Sequence, residues 1–196
     1  MLTSKISSQP SDEELIFSLQ KGLDNALTKL MERYKKPLFY FITRYIKDED
    51  ISYDILQETF IKVYNRAETF NVQYKFKTWL YQIAFNLCRD YARKQKLHSF
   101  LSLDAWIGNE NKNSLHDVLM SDENIENLVE QRQTLQLVEE QIAKLPHKLK
   151  TALILFSIEN HSQKECAKIL SVTPKIIETR VYRARKILLQ QLSKNL

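Results

Sequence analysis

Apolar residues recur at intervals of three and four along most of this chain, and each such run predicts a helix. Residues 1–10 read as a frayed end. Ser11 with Glu14 is a capping-box pair that opens a first helix. Leu15, Leu19 and Leu23 then fall near one face, and Gly22 ends the helix. A second helix is predicted over 25–46, with Leu27, Leu30, Tyr34, Leu38 and Phe41 spaced for burial; Pro37 inside it predicts a kink or break. A third covers about 51–70: Leu56, Phe60, Val63, Tyr64 and Ala67 form its buried stripe. Its opposite side presents Asp54, Gln57, Glu58, Lys62 and Asn65. A fourth covers about 76–96 on a stripe of Leu80, Ile83, Ala84, Leu87 and Tyr91.

Periodicity then stops. Residues 98–124 are rich in Asn, Ser and Asp and read as a linker. Helical spacing resumes with Leu128, Leu135, Val138, Ile142 and Leu145, and Pro146 suits the first turn of a helix carrying Ala152, Leu153, Leu155 and Phe156. Ser162 and Glu165 form a second capping box before a short helix ending near Leu170. Ser171-Val172-Thr173 is a turn, with Thr173 as N-cap and Pro174 at the first position of a last helix running to about Leu192. Ile177, Val181, Ala184 and Leu188 face its core, and Thr179, Arg180, Arg183 and Lys186 face out. Two short helices about a three-residue turn, the second basic, make a helix-turn-helix. The expectation is an all-α chain: a helical domain at 1–97, a flexible acidic linker at 98–124 and a second small helical domain at 125–196.

Composition narrows the class. Only 2 glycines and 4 prolines occur, too few breakers for the tight turns of a sheet-rich fold, while 43% hydrophobic residues suffice for real cores. The net charge of +5 is modest, but its distribution is uneven. Residues 89–96 hold four basic residues against one acid, 98–130 hold seven acids against Lys112, and 174–196 hold six basic residues against Glu178. Two basic blocks separated by an acidic one imply two nucleic-acid contacts and a spacer. Cys88 and Cys166 lie far apart in helical patterns and read as reduced thiols; with the 4 histidines they make no metal-ligand spacing. No metal, no cofactor and no catalytic residue is expected: a nucleic-acid enzyme needs clustered carboxylates, a phosphate loop or a nucleophile–base pair, and none is visible. No apolar run approaches the ~18 residues of a membrane span, and MLTSKISSQPSDEEL has no signal-peptide core, so no membrane insertion and a cytoplasmic location are expected.

The most informative stretch runs from 54 to 96. Phe70–Phe76 and Lys77 interleave aromatic and basic residues in FNVQYKFK, and the helix after them carries Trp79, Asn86, Arg89 and Arg93 on one face. Tyr74 and Phe76 are stacking types, Lys75 and Lys77 phosphate-tracking types, and Asn86 offers a donor and an acceptor to a base edge. This is chemistry for holding single-stranded nucleic acid.

Taken together, GLDNALTKLMERYKKPLFYFI, DILQETFIKVY, FKTWLYQIAFNLCRDYARKQ and the helix-turn-helix segment LPHKLKTALILFSIENHSQKECAKILSVTPKIIETRVYRARKIL resemble the extracytoplasmic-function (group 4) sigma factors of bacterial RNA polymerase, over 12–97 and 125–192 in the family's order. The resemblance implies a sigma region 2 and a sigma region 4, with no region 3 between them. It implies that core polymerase is the main partner, through its β′ clamp helices and β flap. Promoter DNA and, where one exists, an anti-sigma factor are the further partners it implies. The DxxQE motif, here Asp54, Gln57 and Glu58, is the family's clamp contact. Tyr74, Lys75, Phe76 and Lys77 fall in the loop that captures an extruded −10 base, and Asn86 matches the base-reading Asn. Trp79 is either a wedge at the strand fork or a core residue, and Arg89 and Arg93 are phosphate contacts. Lys175, Thr179, Arg180, Tyr182, Arg183 and Lys186 match the −35-reading helix, with Lys175 and Lys186 on phosphates. Glu178 and Pro174-Lys175 depart from the family pattern. The implied linker path is through the polymerase toward the RNA exit. The alternative is a helix-turn-helix regulator that works without polymerase; it accounts for 125–192 and leaves 54–96 unused.

Overall fold

The computed structural model describes residues 9–71, 73–101 and 125–193, and every regular element among them is helical. The chain separates into two compact units, 1–93 and 94–196. The expected linker falls outside the described residues except for 98–101, which are helical.

In the first unit, α1 (Asp12–Gln20) starts on a complete capping box. The Ser11 N–H donates to Glu14 Oε2 at 2.7 Å, and the Glu14 N–H donates to Ser11 Oγ at 3.2 Å. The bond from Ser11's backbone holds the Glu14 carboxyl below its ordinary pKa. The helix stops because Gly22 turns left-handed at φ +81. The Leu23 N–H then reaches Ser18 O (3.1 Å) and the Gly22 N–H reaches Leu19 O (2.9 Å), satisfying two carbonyls the helix leaves open.

Helix α2 (Asn25–Ile46) runs unbroken through Pro37, so the expected break does not occur. Lys47 ends it in the left-handed region at φ 65. Asp48 caps α3 (Glu49–Asn65) by accepting from the Ile51 N–H at 3.0 Å. That helix therefore begins earlier than the apolar pattern predicts. It also ends earlier, in a 3-10 turn at Ala67–Thr69. Tyr64 is 49% exposed and leaves the expected buried stripe; Ser52, Ile55 and Thr59 join Leu56, Phe60 and Val63 inside instead. Small hydroxyl residues can line a helix core because they bond their own turn, as Thr59 Oγ1 does to Ile55 O at 2.7 Å.

Helix α4 (Phe76–Leu101) continues past residue 96. Its first half is a core element: Phe76, Leu80, Tyr81, Ala84 and Cys88 are fully buried. Tyr81 packs on Phe41 of α2 (ring centres 5.2 Å) and Phe85 edges onto Tyr45 at 5.7 Å. Each large apolar side chain so buried contributes roughly 1.5–3 kcal/mol.

Three polar ties fasten α1 to the rest of the unit. Asp12 pairs with Arg33 at 2.8 Å and accepts from the Tyr34 hydroxyl, whose pKa burial raises. Gln20 Nε2 donates to Ala67 O (2.8 Å) and to Phe70 O (3.0 Å). Glu13 Oε1 accepts from the Phe76 N–H at 3.2 Å.

The second unit contains α5 (Ile125–Lys144), α6 (His147–Leu153), a π-helical turn (Ile154–Ile158), α7 (Gln163–Leu170) and α8 (Pro174–Leu192). Pro146 precedes α6 at the N-cap position. The π turn closes with the Glu159 N–H on Ile154 O at 3.0 Å. Its extra residue rotates the side chains within it off the α-helical register, so Phe156 is only half-buried rather than a full core member. Arg185 covers its ring, 5.7 Å from the centre. Leu135 is 64% exposed and Val138 and Ile142 half-buried, so among the described side chains of the expected stripe only Leu145, just past the end of α5, is fully buried; the side chain of Leu128 lies outside the described residues. Leu188 is likewise half-buried. Helix α8 packs on α5, α6 and α7, with Ile177, Val181 and Ala184 inside.

The turn between α7 and α8 adopts the form its sequence predicts. Ser162 and Glu165 form the capping box, Ser171 turns left-handed at φ 53, and Thr173 caps α8 ahead of Pro174. Cys88 and Cys166 are buried free thiols, and burial pushes the pKa of each up to about 12.

The left-handed stop at Gly22 gives the first test. A Cβ there meets nothing within 4 Å, so Gly22→Ala adds backbone strain without a clash. The expected cost is about 1 kcal/mol, read as a lower urea midpoint at unchanged slope.

Candidate nucleic-acid interface

Helix α3 carries the first candidate surface. Asp54, Gln57 and Glu58 are exposed, and Glu58 pairs with Lys62 at 3.1 Å. Beside them stand Tyr53 (58% exposed) and Ile61 (57%), with Tyr64 further along. Positions 53, 57, 61 and 64 follow one helical strip, so the acidic edge borders an apolar, partly aromatic one. Sequence reading missed this strip because it assigned Tyr64 to the core; the spacing of Tyr53, Gln57 and Ile61 was the available signal.

The loop between the 3-10 turn and α4 is the second surface. Asn71 shapes it: its Oδ1 accepts from the Gln73 N–H at 2.9 Å, and its carbonyl accepts from the Tyr74 N–H at 3.0 Å. Tyr74 is 53% exposed and Lys75 is exposed. Phe76 is not. It is fully buried, with its ring centre 5.7 Å from Tyr34, 6.2 Å from Phe70 and 6.1 Å from Trp79. The expectation that Phe76 offers a face to a base is therefore corrected. It is the first residue of α4, and the spacing 76, 80, 84 puts it on the core stripe; the aromatic–basic alternation of the loop concealed that helical register. Trp79 is half-buried and packs on Phe70 at 5.0 Å, so the core alternative describes its inner side and leaves its outer side available. Lys77 is half-buried, its Nζ 5.6 Å from the Tyr81 ring centre.

Along α4 the polar residues form a strip. Asn86 is half-buried, Arg89 and Arg93 are exposed, and Arg93 lies 3.4 Å from Asp90. Gln82 is half-buried too, three residues after Trp79 and four before Asn86, and sequence reading passed over it. Its position on the Trp79–Asn86 strip was the signal.

Helix α8 bears the third surface. Lys175, Thr179, Tyr182, Arg183 and Lys186 are exposed and Arg180 is half-buried. Lys175, Thr179, Arg180 and Arg183 border a shallow cleft with Leu149 and Ile176. Glu178, the departure noted in the sequence, holds Lys175 Nζ at 2.9 Å. Thr179 Oγ1 donates to Lys175 O at 2.9 Å, leaving its oxygen lone pairs and methyl for a partner. Among the described residues no cluster of three or more His, Cys, Asp or Glu is placed to hold a metal ion, and no helix is long and apolar enough to cross a membrane.

Residues 30–98 match the Sigma-70 region 2 family and residues 135–188 match Sigma-70, region 4. The chain is 30% identical over 178 residues to the ECF RNA polymerase sigma factor SigW of Bacillus subtilis, covering 90% of this chain and 94% of that protein. It is 32% identical over 190 residues to the ECF RNA polymerase sigma-E factor of Haemophilus influenzae, covering 93% and 96%. Its fold is similar to that of the sigma factor RpoE of Bartonella quintana, solved with the anti-sigma factor NepR: TM-score 0.69, 20% identity, 85% of this chain and 96% of that one. The chain belongs to the extracytoplasmic-function sigma factors. It binds core RNA polymerase and directs promoter recognition and transcription initiation. The alternative of a regulator acting without polymerase is set aside, since the region 2 match occupies the segment that alternative leaves unused.

The Lys175–Glu178 pair yields a prediction at this surface. It is exposed and contributes at most about 1 kcal/mol, so a phosphate can displace it. Glu178 nevertheless leaves a negative charge beside the phosphates that Lys175 would neutralise. Glu178→Gln should tighten holoenzyme binding to −35 DNA, and Lys175→Ala should weaken it and reduce the salt slope by roughly one. An unchanged slope for Lys175→Ala in a salt titration would show that Lys175 reaches no phosphate.

Proposed function

We propose that the two helical units divide the promoter and the polymerase between them. The unit within 1–97 takes the β′ clamp helices and the −10 element, the unit within 125–196 takes the β flap and the −35 element, and 98–124 connects them along the polymerase. The observation that carries this reading is the sorting of the family-matched positions. Asp54, Gln57, Glu58, Tyr74, Lys75, Arg89 and Arg93 stand on the surface, whereas Ile55, Leu56, Phe60, Val63, Leu80, Ala84 and Cys88 between them are core.

On this reading Asp54, Gln57 and Glu58 give the clamp helices an acidic, hydrogen-bonding edge, and Tyr53, Ile61 and Tyr64 add apolar contact. Opening a −10 base costs a few kcal/mol of stacking, and an aromatic platform returns about 1–3 kcal/mol. Tyr74 takes the stacking role that buried Phe76 cannot, with Lys75 on the backbone. Asn86 reads the edge of the captured base, Trp79 stands by its outer side at the fork, and Arg89, Arg93 and Lys77 track phosphates. In the second unit Arg180, Tyr182, Arg183 and Thr179 face the −35 major groove, flanked by Lys175 and Lys186. The protein is a binding subunit with no catalytic residue and no cofactor, acting in the cytoplasm. An anti-sigma factor belongs to the reading because the similar RpoE was solved with one.

Two experiments test this. Asp54→Ala with Glu58→Ala should leave circular dichroism unchanged while holoenzyme assembly falls; normal assembly would remove the α3 edge from the scheme. In transcription over a promoter library, Asn86→Ala should relax base preference at one −10 position, at a cost of about 1–3 kcal/mol for a lost bidentate contact. Arg183→Ala should weaken −35 dependence alone. Effects of Asn86→Ala confined to the −35 element would overturn the assignment of residues.

A further inference from the structure

The loop proposed to capture the −10 base is tied at both ends by polar side chains of one other helix. Glu13 and Gln20 lie seven residues apart on α1, two turns along the same side, a rise of about 10 Å. Gln20 donates twice at the near end, to Ala67 O at 2.8 Å and to Phe70 O at 3.0 Å. Glu13 accepts at the far end from the Phe76 N–H at 3.2 Å, the first amide of α4, which has no partner within its own helix. Between these points stand Tyr74 and Lys75, exposed; at the points themselves stand Phe70 and Phe76, both buried.

We infer that Glu13 and Gln20 are positioning residues for −10 recognition: α1 acts as a bracket that sets the span and tilt of the base-capture loop. The inference rests on the reading of that loop given above. The loop's own turn is a single Asn71-centred bend, and its two aromatic anchors fix depth in the core but not the direction of the backbone leaving them. Backbone direction is set by hydrogen bonds to the flanking peptide groups; besides the local bonds from the Phe70 N–H to Ala67 O (3.0 Å) and from the Trp79 N–H to Lys75 O (3.3 Å), two side chains of a different helix bond those groups at both ends. Asp12, through Arg33 and Tyr34, in turn fastens the start of α1 to α2, so the bracket has a fixed base. A recognition site is only as selective as the shell that holds it.

The test uses the full chain with core polymerase. Gln20→Leu keeps the side-chain volume and removes both donors. Glu13→Ala removes the acceptor, and Glu13→Gln keeps one. Each is compared with Tyr74→Ala for helical content, core affinity and transcription over a library randomised at −10 and −35. Gln20→Leu and Glu13→Ala should weaken discrimination by about three- to tenfold, the worth of one or two hydrogen bonds, at the −10 position that Tyr74→Ala relaxes. Core affinity and −35 discrimination should hold, and Glu13→Gln should stay close to the parent. A uniform loss across all promoter sequences means that α1 only supports the fold, and overturns the inference. If Tyr74→Ala relaxes a −10 position that Gln20→Leu and Glu13→Ala leave intact, the bracket fails and the loop reading survives. If Tyr74→Ala relaxes no position, the loop reading fails and the bracket fails with it.

Discussion

Between Phe76 and Cys88, helix α4 gives up five side chains to complete burial, and with Thr78, Ile83, Phe85 and Leu87 also buried little of its circumference is left free. The remaining outward strip passes through Trp79, Gln82, Asn86 and Arg89. A helix clamped on so many sides cannot roll to offer a different strip. The aromatic contacts from Phe41, Tyr34 and Tyr45 therefore decide which α4 residues face outward. Specific packing fixes a single rotation, where a looser apolar stripe would tolerate several.

The second unit solves the same problem with caps more than with packing. Its helix α8 is short of apolar area, with only Ile177, Val181 and Ala184 fully inside. Its start is fixed by the left-handed Ser171, the Thr173 cap and Pro174, which together set where the first exposed turn begins. Each cap contributes on the order of 1 kcal/mol, a small amount of energy that determines the register of Lys175 through Lys186.

Helix starts and the helix-turn-helix were legible because they depend on local chemistry: both capping boxes, Thr173-Pro174 and Gly22 act within four residues. The features that escaped sequence reading depend on partners distant along the chain. Tyr64 and Leu135 fit helical stripes, but no neighbour among the described residues covers them and they stand exposed. The π turn re-aims Phe156, and no residue type announces it. Phe76 was misplaced for a related reason: loop alternation and helix register overlap at one residue, and tertiary packing with Tyr34 and Phe70 settles the matter. The ties from Glu13 to Phe76 and from Gln20 to Phe70 span 63 and 50 positions, beyond the reach of any pattern read along the chain.

The two cysteines have a consequence for signalling. Oxidants and electrophiles attack the thiolate, and burial pushes both thiols up to about 12, which disfavours that form at neutral pH. Cys88 is enclosed by the first core and Cys166 by the second, so a reagent must wait for either unit to open. At both cysteines the folded protein is thus a poor target for peroxide, and their oxidation is tied to the opening of the unit that holds each one.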